Sequence, residues 1–338
     1  MDAMRRRTFI SLGGVGLVAA AEASDSAGSS QRYPEDTSTA IKKTAIITLV
    51  QLQNAGKDTA PVDRMPPFFE QAAGLGADLV VFPEYVLGDT IDTGHENARR
   101  FFDLARTYHI NAIAGCVEAF GEKYATSAWV VNRDGILLGR YLKCHPAAGP
   151  APHWWPPIEG HDREARGILG NQFKVFHLDF GPIGILQCYD GYFPEAWGCT
   201  SYSGAEIILW INGRQGMIED SHCLCAAHCY GCVVGANISD GCNTGFAGSN
   251  CITPLDYTEG REEARLYPRI RQRGDAAITA SIDLGMLRTQ RKHLRTMHQR
   301  RPELYGLLTQ DIKMWQDYPD IPWEYPECAD LVNRSQLT

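Results

Sequence analysis

Three residues in separate segments of the chain supply the groups that hydrolysis through a thiol requires. Glu84, Lys143 and Cys188 bring a carboxylate, an ammonium group and a thiol. A cysteine can attack a carbonyl carbon and form a covalent acyl intermediate, while a carboxylate beside it takes the thiol proton and returns a proton to the departing amine. An ammonium group, with a backbone N–H after the nucleophile, can stabilise the oxyanion that develops during attack. Together the three residues predict cleavage of a carbon–nitrogen bond.

Each of these residues follows a strand-like segment. The segments are 77–82 before Glu84, 139–142 before Lys143 and 184–187 before Cys188. In α/β sheets, ligands bind beyond the C-terminal ends of the strands, so the three side chains are expected to converge on one crevice. The turn after Cys188 leads to a helix predicted from residue 194, whose positive end is expected to favour the thiolate form of the cysteine.

Each residue taken alone also has an ordinary structural explanation. A glutamate at a strand end is commonly a solvated cap, and a lysine after a hairpin commonly lies on the surface. A cysteine that ends an apolar strand is commonly a small buried side chain. The occurrence of all three residues at strand ends is what favours a shared catalytic site.

Helix-like and strand-like segments alternate along the rest of the chain. Apolar residues at helical spacing predict helices at 62–75, 97–108, 194–203, 220–232 and 284–299. Strands are predicted at 44–52, 77–82, 110–116, 125–132, 136–142, 173–179, 183–187, 205–211, 233–238, 251–253 and 276–282. No repeat or linker interrupts residues 40–310. The alternation of strands and helices, mixed with hairpins, predicts a two-sheet α/β sandwich with helices outside.

Longer motifs surround the three residues. They are Val81-Phe82-Pro83-Glu84, Gly139-Arg140-Tyr141-Leu142-Lys143 with His145, Cys188-Tyr189-Asp190 with Phe193-Pro194-Glu195, Gly204-Ala205-Glu206-Ile207-Ile208, Gly235-Ala236-Asn237, Phe246-Ala247-Gly248-Ser249 and Arg300-Arg301-Pro302-Glu303-Leu304-Tyr305. In this order, they resemble the nitrilase, or carbon–nitrogen hydrolase, superfamily across most of residues 40–305. The resemblance implies a four-layer αββα sandwich and a Glu84–Lys143–Cys188 triad. It also implies a thioester acyl-enzyme, no metal or other cofactor, and assembly into homodimers or higher homo-oligomers.

Residues beside the nucleophile bear on the substrate. Family members that hydrolyse N-carbamoyl amino acids usually place an arginine shortly after Cys-x-Asp, where this chain has Gly191 and Tyr192. Members that act on nitriles usually have Cys-Trp-Glu, whereas simple amide hydrolases often carry Asp-Gly after the nucleophile, as Asp190-Gly191 do here. We therefore expect hydrolysis of a small neutral amide, aromatic amides included, to an acid and ammonia or an amine. Nitrile hydrolysis and N-carbamoyl hydrolysis are the alternatives.

A long loop at 144–170 is expected to hold further substrate-binding residues. Many family members have a second glutamate between the lysine and the cysteine, and both Glu159 and Glu164 are available. We favour Glu159 because it follows the aromatic stretch. The aromatic side chains expected to line the pocket are Tyr85, Trp154, Trp155, Tyr189, Tyr192, Phe193 and Trp210. The alternative is that these aromatics pack in the core or at a dimer face.

Two functions of other classes are also considered. A cluster of soft ligands at residues 222–232 could bind zinc or copper; it contains His222, Cys223, Cys225, His228, Cys229 and Cys232. We expect no metal, because Cys225, Cys229 and Cys232 at helical spacing should pack on one helix face. A non-catalytic binding protein with the same fold is the other alternative, and the intact triad argues against it.

The N-terminus resembles a bacterial twin-arginine export signal. Arg5, Arg6 and Arg7 precede an apolar run at 12–21 and a small-x-small cleavage pattern that ends before Ser24. We expect a signal peptide at 1–23, a flexible tether at 24–39 and a periplasmic or secreted hydrolase domain at 40–310. The apolar run is too short for a permanent anchor, which needs about 20 residues. Residues 311–338 are expected to form an extension in subunit contacts.

Composition argues against a disordered protein and against a nucleic-acid-binding protein. The chain has 338 residues, of which 44% are hydrophobic and 21% charged, as in ordinary globular proteins. Its net charge of -8 argues against nucleic acid as the main partner. Eleven cysteines would suggest disulfides in an exported protein. A twin-arginine substrate folds in the reducing cytoplasm first, so the cysteine count does not define the redox state.

Overall fold

The structure is a computed structural model that describes residues 42–53, 60–147, 163–249, 252–254 and 264–310. Several features predicted from the sequence lie outside these residues: the export signal at 1–23, the tether at 24–39, Trp154, Trp155, Glu159 and the extension at 311–338. No helix among the described residues is long and apolar enough to cross a membrane.

The described chain forms 13 strands and seven α-helices. The strands are β1 (Thr44–Gln51), β2 (Leu79–Val81), β3 (Asn111–Phe120), β4 (Lys123–Val131), β5 (Leu137–Leu142), β6 (Val175–Leu178), β7 (Gly181–Gln187), β8 (Ile207–Met217), β9 (Val233–Cys242), β10 (Thr244–Gly248), β11 (Ile252–Pro254), β12 (Arg265–Ile270) and β13 (Ala276–Asp283). The helices are α1 (Pro66–Gly74), α2 (Glu96–Tyr108), α3 (Arg163–Arg166), α4 (Pro194–Tyr202), α5 (Asp220–Tyr230), α6 (Leu284–His293) and α7 (Arg295–His298).

The strands form two mixed sheets. The first has the order β11-β13-β1-β2-β3-β4-β5, and the second has the order β12-β10-β9-β8-β7-β6. Strands β1, β2 and β3 are parallel in the first sheet, as are β7, β8 and β9 in the second. Parallel strands are commonly covered on both faces, which explains why β2 is buried along its whole length.

Apolar layers on both faces of each sheet produce a four-layer sandwich. The layer between the sheets includes Ile47, Leu49, Leu79 and Val81 of the first sheet and Ile183, Ile185, Ile207 and Leu209 of the second. Outside the first sheet lie α1 and α2, with Phe69 and Phe101 in the contact. Outside the second lie α4 and α5, with Trp197 and Ala226. The predicted α/β sandwich with helices outside is confirmed.

Two late elements differ from the prediction. The sequence predicts no strand between residues 253 and 276, but this segment contains β12, which pairs with β10 at the edge of the second sheet. Its arginines and Pro268 hide the strand pattern, and an edge strand tolerates a proline. The helix predicted at 284–299 is divided, because Leu294 adopts an extended backbone between α6 and α7.

Candidate active site

Glu84, Lys143 and Cys188 meet where the two sheets lie against each other. Lys143 directly follows β5 and Cys188 directly follows β7, while Glu84 lies three residues beyond β2. The Nζ atom of Lys143 lies 3.2 Å from Oε1 of Glu84, and both residues act electrostatically on the Cys188 thiol. All three side chains are buried, with Cys188 8% exposed. The structure therefore brings the predicted triad together in a site almost closed to bulk water.

Close packing holds the Glu84 carboxylate in place. Its Oε2 accepts a hydrogen bond from the backbone N–H of Gly213 at 2.8 Å. A Cβ atom at position 213 would lie 2.3 Å from the ring of Tyr85, so only glycine allows this approach. Tyr85 itself adopts a left-handed backbone with φ of 65°. For a residue other than glycine, such strain is common at functional sites.

Burial gives Glu84 and Cys188 unusual proton affinities. Burial raises the pKa of Glu84 to about 7, although the positive charge of Lys143 opposes the shift. A carboxyl with this pKa can both accept and return a proton near neutral pH. Burial also raises the pKa of Cys188 to about 12, so the resting thiol is protonated. The predicted thiolate is therefore wrong, because burial outweighs the positive charges of Lys143 and Arg214, which lower this pKa.

Lys143 remains an ammonium group because two carboxylates surround it. Burial alone would lower its pKa, but Glu84, Cys188 and Glu164 together outweigh burial and raise the pKa. Both oxygens of Glu164 lie 2.8 Å from Nζ. A permanently charged lysine can stabilise an oxyanion, whereas it cannot serve as a base.

Glu164 is the second glutamate of the site. It lies on the short helix α3. Its carboxylate accepts hydrogen bonds from the backbone N–H of Ala147, at 2.7 Å, and from the Tyr85 hydroxyl. Glu159, which the sequence favoured for this role, lies outside the described residues. The structure thus provides positive evidence for Glu164 alone.

Asp190 connects the nucleophile turn to the segment that carries Lys143. This fully buried carboxylate accepts hydrogen bonds at 2.8 Å from the Tyr141 hydroxyl and from the backbone N–H of His145, and it contacts His145 Nδ1 at 2.8 Å. It also accepts the backbone N–H of Gln187 at 3.1 Å. Cys188 has a left-handed φ of 45°, and this network helps to hold that strained turn.

The family of the chain follows from its sequence match. Residues 46–232, more than half of the chain, match the family described as carbon-nitrogen hydrolase. The chain belongs to this family. It is therefore an enzyme, a hydrolase that acts on carbon–nitrogen bonds of the amide type.

Individual proteins of known sequence or structure resemble the chain at 30% identity or less. The hydrolase is 30% identical over 225 residues to the probable hydrolase YhcX of Bacillus subtilis, a match that covers 61% of this chain but only 40% of the relative. It is 26% identical over 232 residues to N-carbamoylputrescine amidase of Arabidopsis thaliana, covering 62% of this chain and 68% of the relative. A carbon-nitrogen hydrolase from Helicobacter pylori has the same fold. Its TM-score is 0.61 at 19% identity, over 79% of this chain and 99% of the other.

The aromatic residues predicted to bind substrate take different positions in the hydrolase. Tyr85 lines a cavity of about 420 Å³ together with Val117, Tyr124, Arg163 and Glu164. Tyr189 and Tyr192 are 39% and 36% exposed beside the nucleophile. Trp210 is fully buried, and its Nε1 donates to the carbonyl oxygen of Cys188 at 2.7 Å. Trp210 therefore lies behind the nucleophile turn and supports it, instead of lining the cleft as predicted.

Arg214 is a charged residue of the site that the sequence did not indicate. Its guanidinium lies over the ring of Tyr192, with Cζ 5.6 Å from the centroid, and pairs with Glu219. Its positive charge also acts on Cys188. The strand predicted at 205–211 ends before this residue, but β8 continues to Met217 with a bulge between Asn212 and Gln215. The polar residues after Ile211 gave no strand pattern from which to place Arg214.

The soft-ligand cluster at 222–232 does not form a metal site in the described structure. Among the described residues, no three His, Cys, Asp or Glu side chains are arranged to hold a metal ion. Cys225 and Cys229 lie on one face of α5, with their sulfurs 3.8 Å apart, but Cys225 is exposed. Cys232 is buried beyond the end of the helix, so the prediction that the three cysteines pack together on one helix face is wrong.

Proposed function

We propose that this hydrolase cleaves a small neutral amide to an acid and ammonia or an amine through a thioester on Cys188. The observation that carries the proposal is the buried Glu84–Lys143 pair, 3.2 Å apart, acting on the Cys188 thiol. One group of the pair can exchange a proton near neutral pH, and the other remains a cation. Acyl transfer needs this division of roles.

The proposed reaction has two halves. In the first, Glu84 takes the Cys188 proton while the sulfur attacks the amide carbon, and Lys143 stabilises the oxyanion. Protonated Glu84 then donates its proton to the nitrogen as the carbon–nitrogen bond breaks, which leaves the acyl group on sulfur. In the second half, Glu84 takes a proton from water, which attacks the thioester and releases the acid. The thiolate regains the proton from Glu84.

The preference for a neutral amide has separate support. Asp190-Gly191 follows the nucleophile, and Tyr192 stands where carbamoyl-hydrolysing members usually carry an arginine. N-carbamoylputrescine amidase among the relatives keeps N-carbamoyl compounds as a second candidate. Nitriles are the third.

A hydrolysis screen tests the proposed reaction. Ammonia release is measured from aliphatic and aromatic amides, nitriles and N-carbamoyl compounds. Cys188→Ala should abolish turnover and leave the far-ultraviolet circular dichroism unchanged, whereas Cys199→Ala, at an exposed cysteine, serves as the matched control. Full activity of the Cys188→Ala variant on an accepted amide would rule out the proposed mechanism.

We also propose that the protein is a homodimer or a higher homo-oligomer. Leu304, Leu307 and Leu308 are exposed near the C-terminal end of the described chain, and large exposed apolar groups commonly mark interfaces. Sedimentation equilibrium of the full chain is expected to give a mass of two or more times the 37.4 kDa of one chain. A monomer mass at micromolar concentration would contradict the proposal.

Export to the periplasm or beyond is the proposed localisation. Its support is the arginine, apolar and small-residue pattern of residues 5–23. In a bacterium with twin-arginine export, the full chain should appear in the periplasmic fraction with its first 23 residues removed. The double substitution Arg6→Lys and Arg7→Lys should retain it in the cytoplasm. An unchanged distribution would show that another route, or none, is used.

A further inference from the structure

Arg214 stands next to the catalytic machinery on two sides. It directly follows Gly213, whose backbone N–H holds the Glu84 carboxylate. Its guanidinium Cζ lies 5.7 Å from the ring centroid of Trp210, the residue whose Nε1 holds the carbonyl of Cys188. A group bound to Arg214 would therefore lie close to an acyl group carried on the Cys188 sulfur.

The guanidinium is fixed before any substrate arrives. It packs over the rings of Tyr192 and Trp210, Nη2 donates to Glu219, and Nε donates to the side-chain oxygen of Asn212 at 3.3 Å. Glu219 is held in turn by the Tyr192 hydroxyl at 2.6 Å. A binding group that is already ordered loses little conformational entropy when a ligand binds.

One end of the guanidinium keeps its donors available. Arginine carries five N–H donors, two of them on Nη1. Within the described ranges, Nη1 makes no hydrogen bond or ion pair, while Nε and Nη2 are engaged. The side chain of Arg214 is 23% exposed, so a ligand can reach it.

The positive charge of Arg214 is already balanced by a neighbouring carboxylate. Glu219 neutralises Arg214, so a substrate carboxylate placed on Nη1 would also meet the negative charge of Glu219. A carboxamide has no such conflict, because its oxygen can accept from Nη1 and its N–H can donate to Glu219. An alkyl group in the same place would leave Nη1 of Arg214 without a partner, which costs binding energy.

We propose that Arg214, paired with Glu219, is a specificity-determining residue that binds a neutral carboxamide-like group at the far end of the substrate's acyl chain. The inference rests on the proposed amide hydrolysis and names its substrate class: amides whose acyl chain carries a second, uncharged group with an accepting oxygen and an N–H. Carboxylate-ended and purely aliphatic amides are the disfavoured relatives.

Matched primary amides test this selection. Their acyl chains, with two to four methylenes, end in a carboxamide, a carboxylate or an isopropyl group, which have the same number of heavy atoms. For the wild type, kcat/KM should be highest for the carboxamide at the best chain length. Arg214→Met should lower the carboxamide-to-isopropyl ratio of kcat/KM about tenfold, mainly through KM, as expected for one charged hydrogen-bond donor. Arg300→Met, which removes another guanidinium stacked on a tyrosine, should leave this ratio unchanged.

The paired residue gives a second, independent variant. Glu219→Gln keeps an accepting oxygen but leaves the charge of Arg214 unbalanced, so the carboxylate-to-carboxamide ratio of kcat/KM should rise about tenfold. Dissociation constants of the same amides are also measured by calorimetry on Cys188→Ala, which keeps Arg214. The amide with the highest kcat/KM in the wild type should bind most tightly, and this test does not require that an Arg214 variant folds.

The outcomes separate the two proposals. Ratios that stay within twofold in both variants, or equal dissociation constants for the three chain ends, would overturn the role of Arg214 while amide hydrolysis stands. If the wild type hydrolysed none of these amides and none of the amides in the wider screen, the proposed function itself would fail, and this inference with it.

Discussion

Glu84 gives the hydrolase a distinctive expected pH dependence. Its pKa is raised to about 7 by burial, and the protonated carboxyl cannot take the thiol proton. Activity should therefore rise with pH as Glu84 loses its proton. Cys188, with its pKa raised to about 12, remains a thiol over the usual range, so no second ionisation should add a falling limb below about pH 10.

The measurement is kcat/KM for one amide between pH 5 and 10. A single rise with an apparent pKa near 7, the value to which burial raises Glu84, is expected. A profile that falls between pH 6 and 8 would instead indicate a preformed thiolate and a protonated acid.

A second test at the residue scale asks which glutamate, Glu164 or Glu159, supports Lys143. Glu164→Gln should lower kcat at least tenfold, because both carboxylate oxygens hold the Lys143 ammonium at 2.8 Å. Glu159→Gln is the comparison, measured under the same conditions. A larger loss in the Glu159 variant would assign the supporting role to the residue that the sequence favours.

At the scale of the elements, each residue of the triad is positioned by the end of a strand. Asp190 holds two of these strand ends together. Its Oδ1 accepts from the backbone of His145, after β5, and its Oδ2 accepts from the backbone of Gln187, at the end of β7. An asparagine has only one accepting oxygen and would point N–H groups at other donors. Asp190→Asn should lower the free energy of unfolding by ~2 kcal/mol or more.

Urea denaturation measures this change, and kcat should fall with it because the distance between Lys143 and Cys188 is no longer held. Asp103→Asn, at an exposed position on α2, is the control and should shift stability by less than about 0.5 kcal/mol. If the two variants were equally stable and active, Asp190 would not position the site.

The same elements explain how much the sequence could predict. The triad was predictable because Glu84, Lys143 and Cys188 each come shortly after a strand-like segment, and the C-terminal ends of those strands meet between the two sheets. Arg214 was not, since it lies within a bulge of β8, beyond the point where the apolar residues of the strand stop. Strand β12 was missed for a similar reason: half-exposed edge strands need little apolar pattern.

At the scale of the whole molecule, the site depends on two sheets packed face to face. Glu84 and Lys143 extend from the first sheet and Cys188 from the second, so the layer between the sheets sets their separation. The sequence predicts both sheets from their strand patterns, but it contains no direct signal for the distance between them. That distance results from the packing of side chains such as Leu49 and Leu79 of the first sheet against Ile185 and Leu209 of the second.

Removing part of this layer should weaken the fold. Ile185→Ala creates a cavity between the sheets and should lower the free energy of unfolding by about 2–5 kcal/mol. Leu138→Ala, at an exposed position of β5, is the control. Urea midpoints for both variants provide the measurement, and a fully stable Ile185→Ala protein would contradict the assignment of this layer as the core.

The covalent intermediate is the most direct test of the proposed chemistry. The enzyme is mixed with an amide substrate, quenched in acid within one turnover, digested and analysed by mass spectrometry. The peptide that contains Cys188 should gain the mass of the acyl group, and the gain should be absent in Cys188→Ala. An acyl group found instead on another cysteine, such as the partly buried Cys144 beside the site, would contradict Cys188 as the nucleophile.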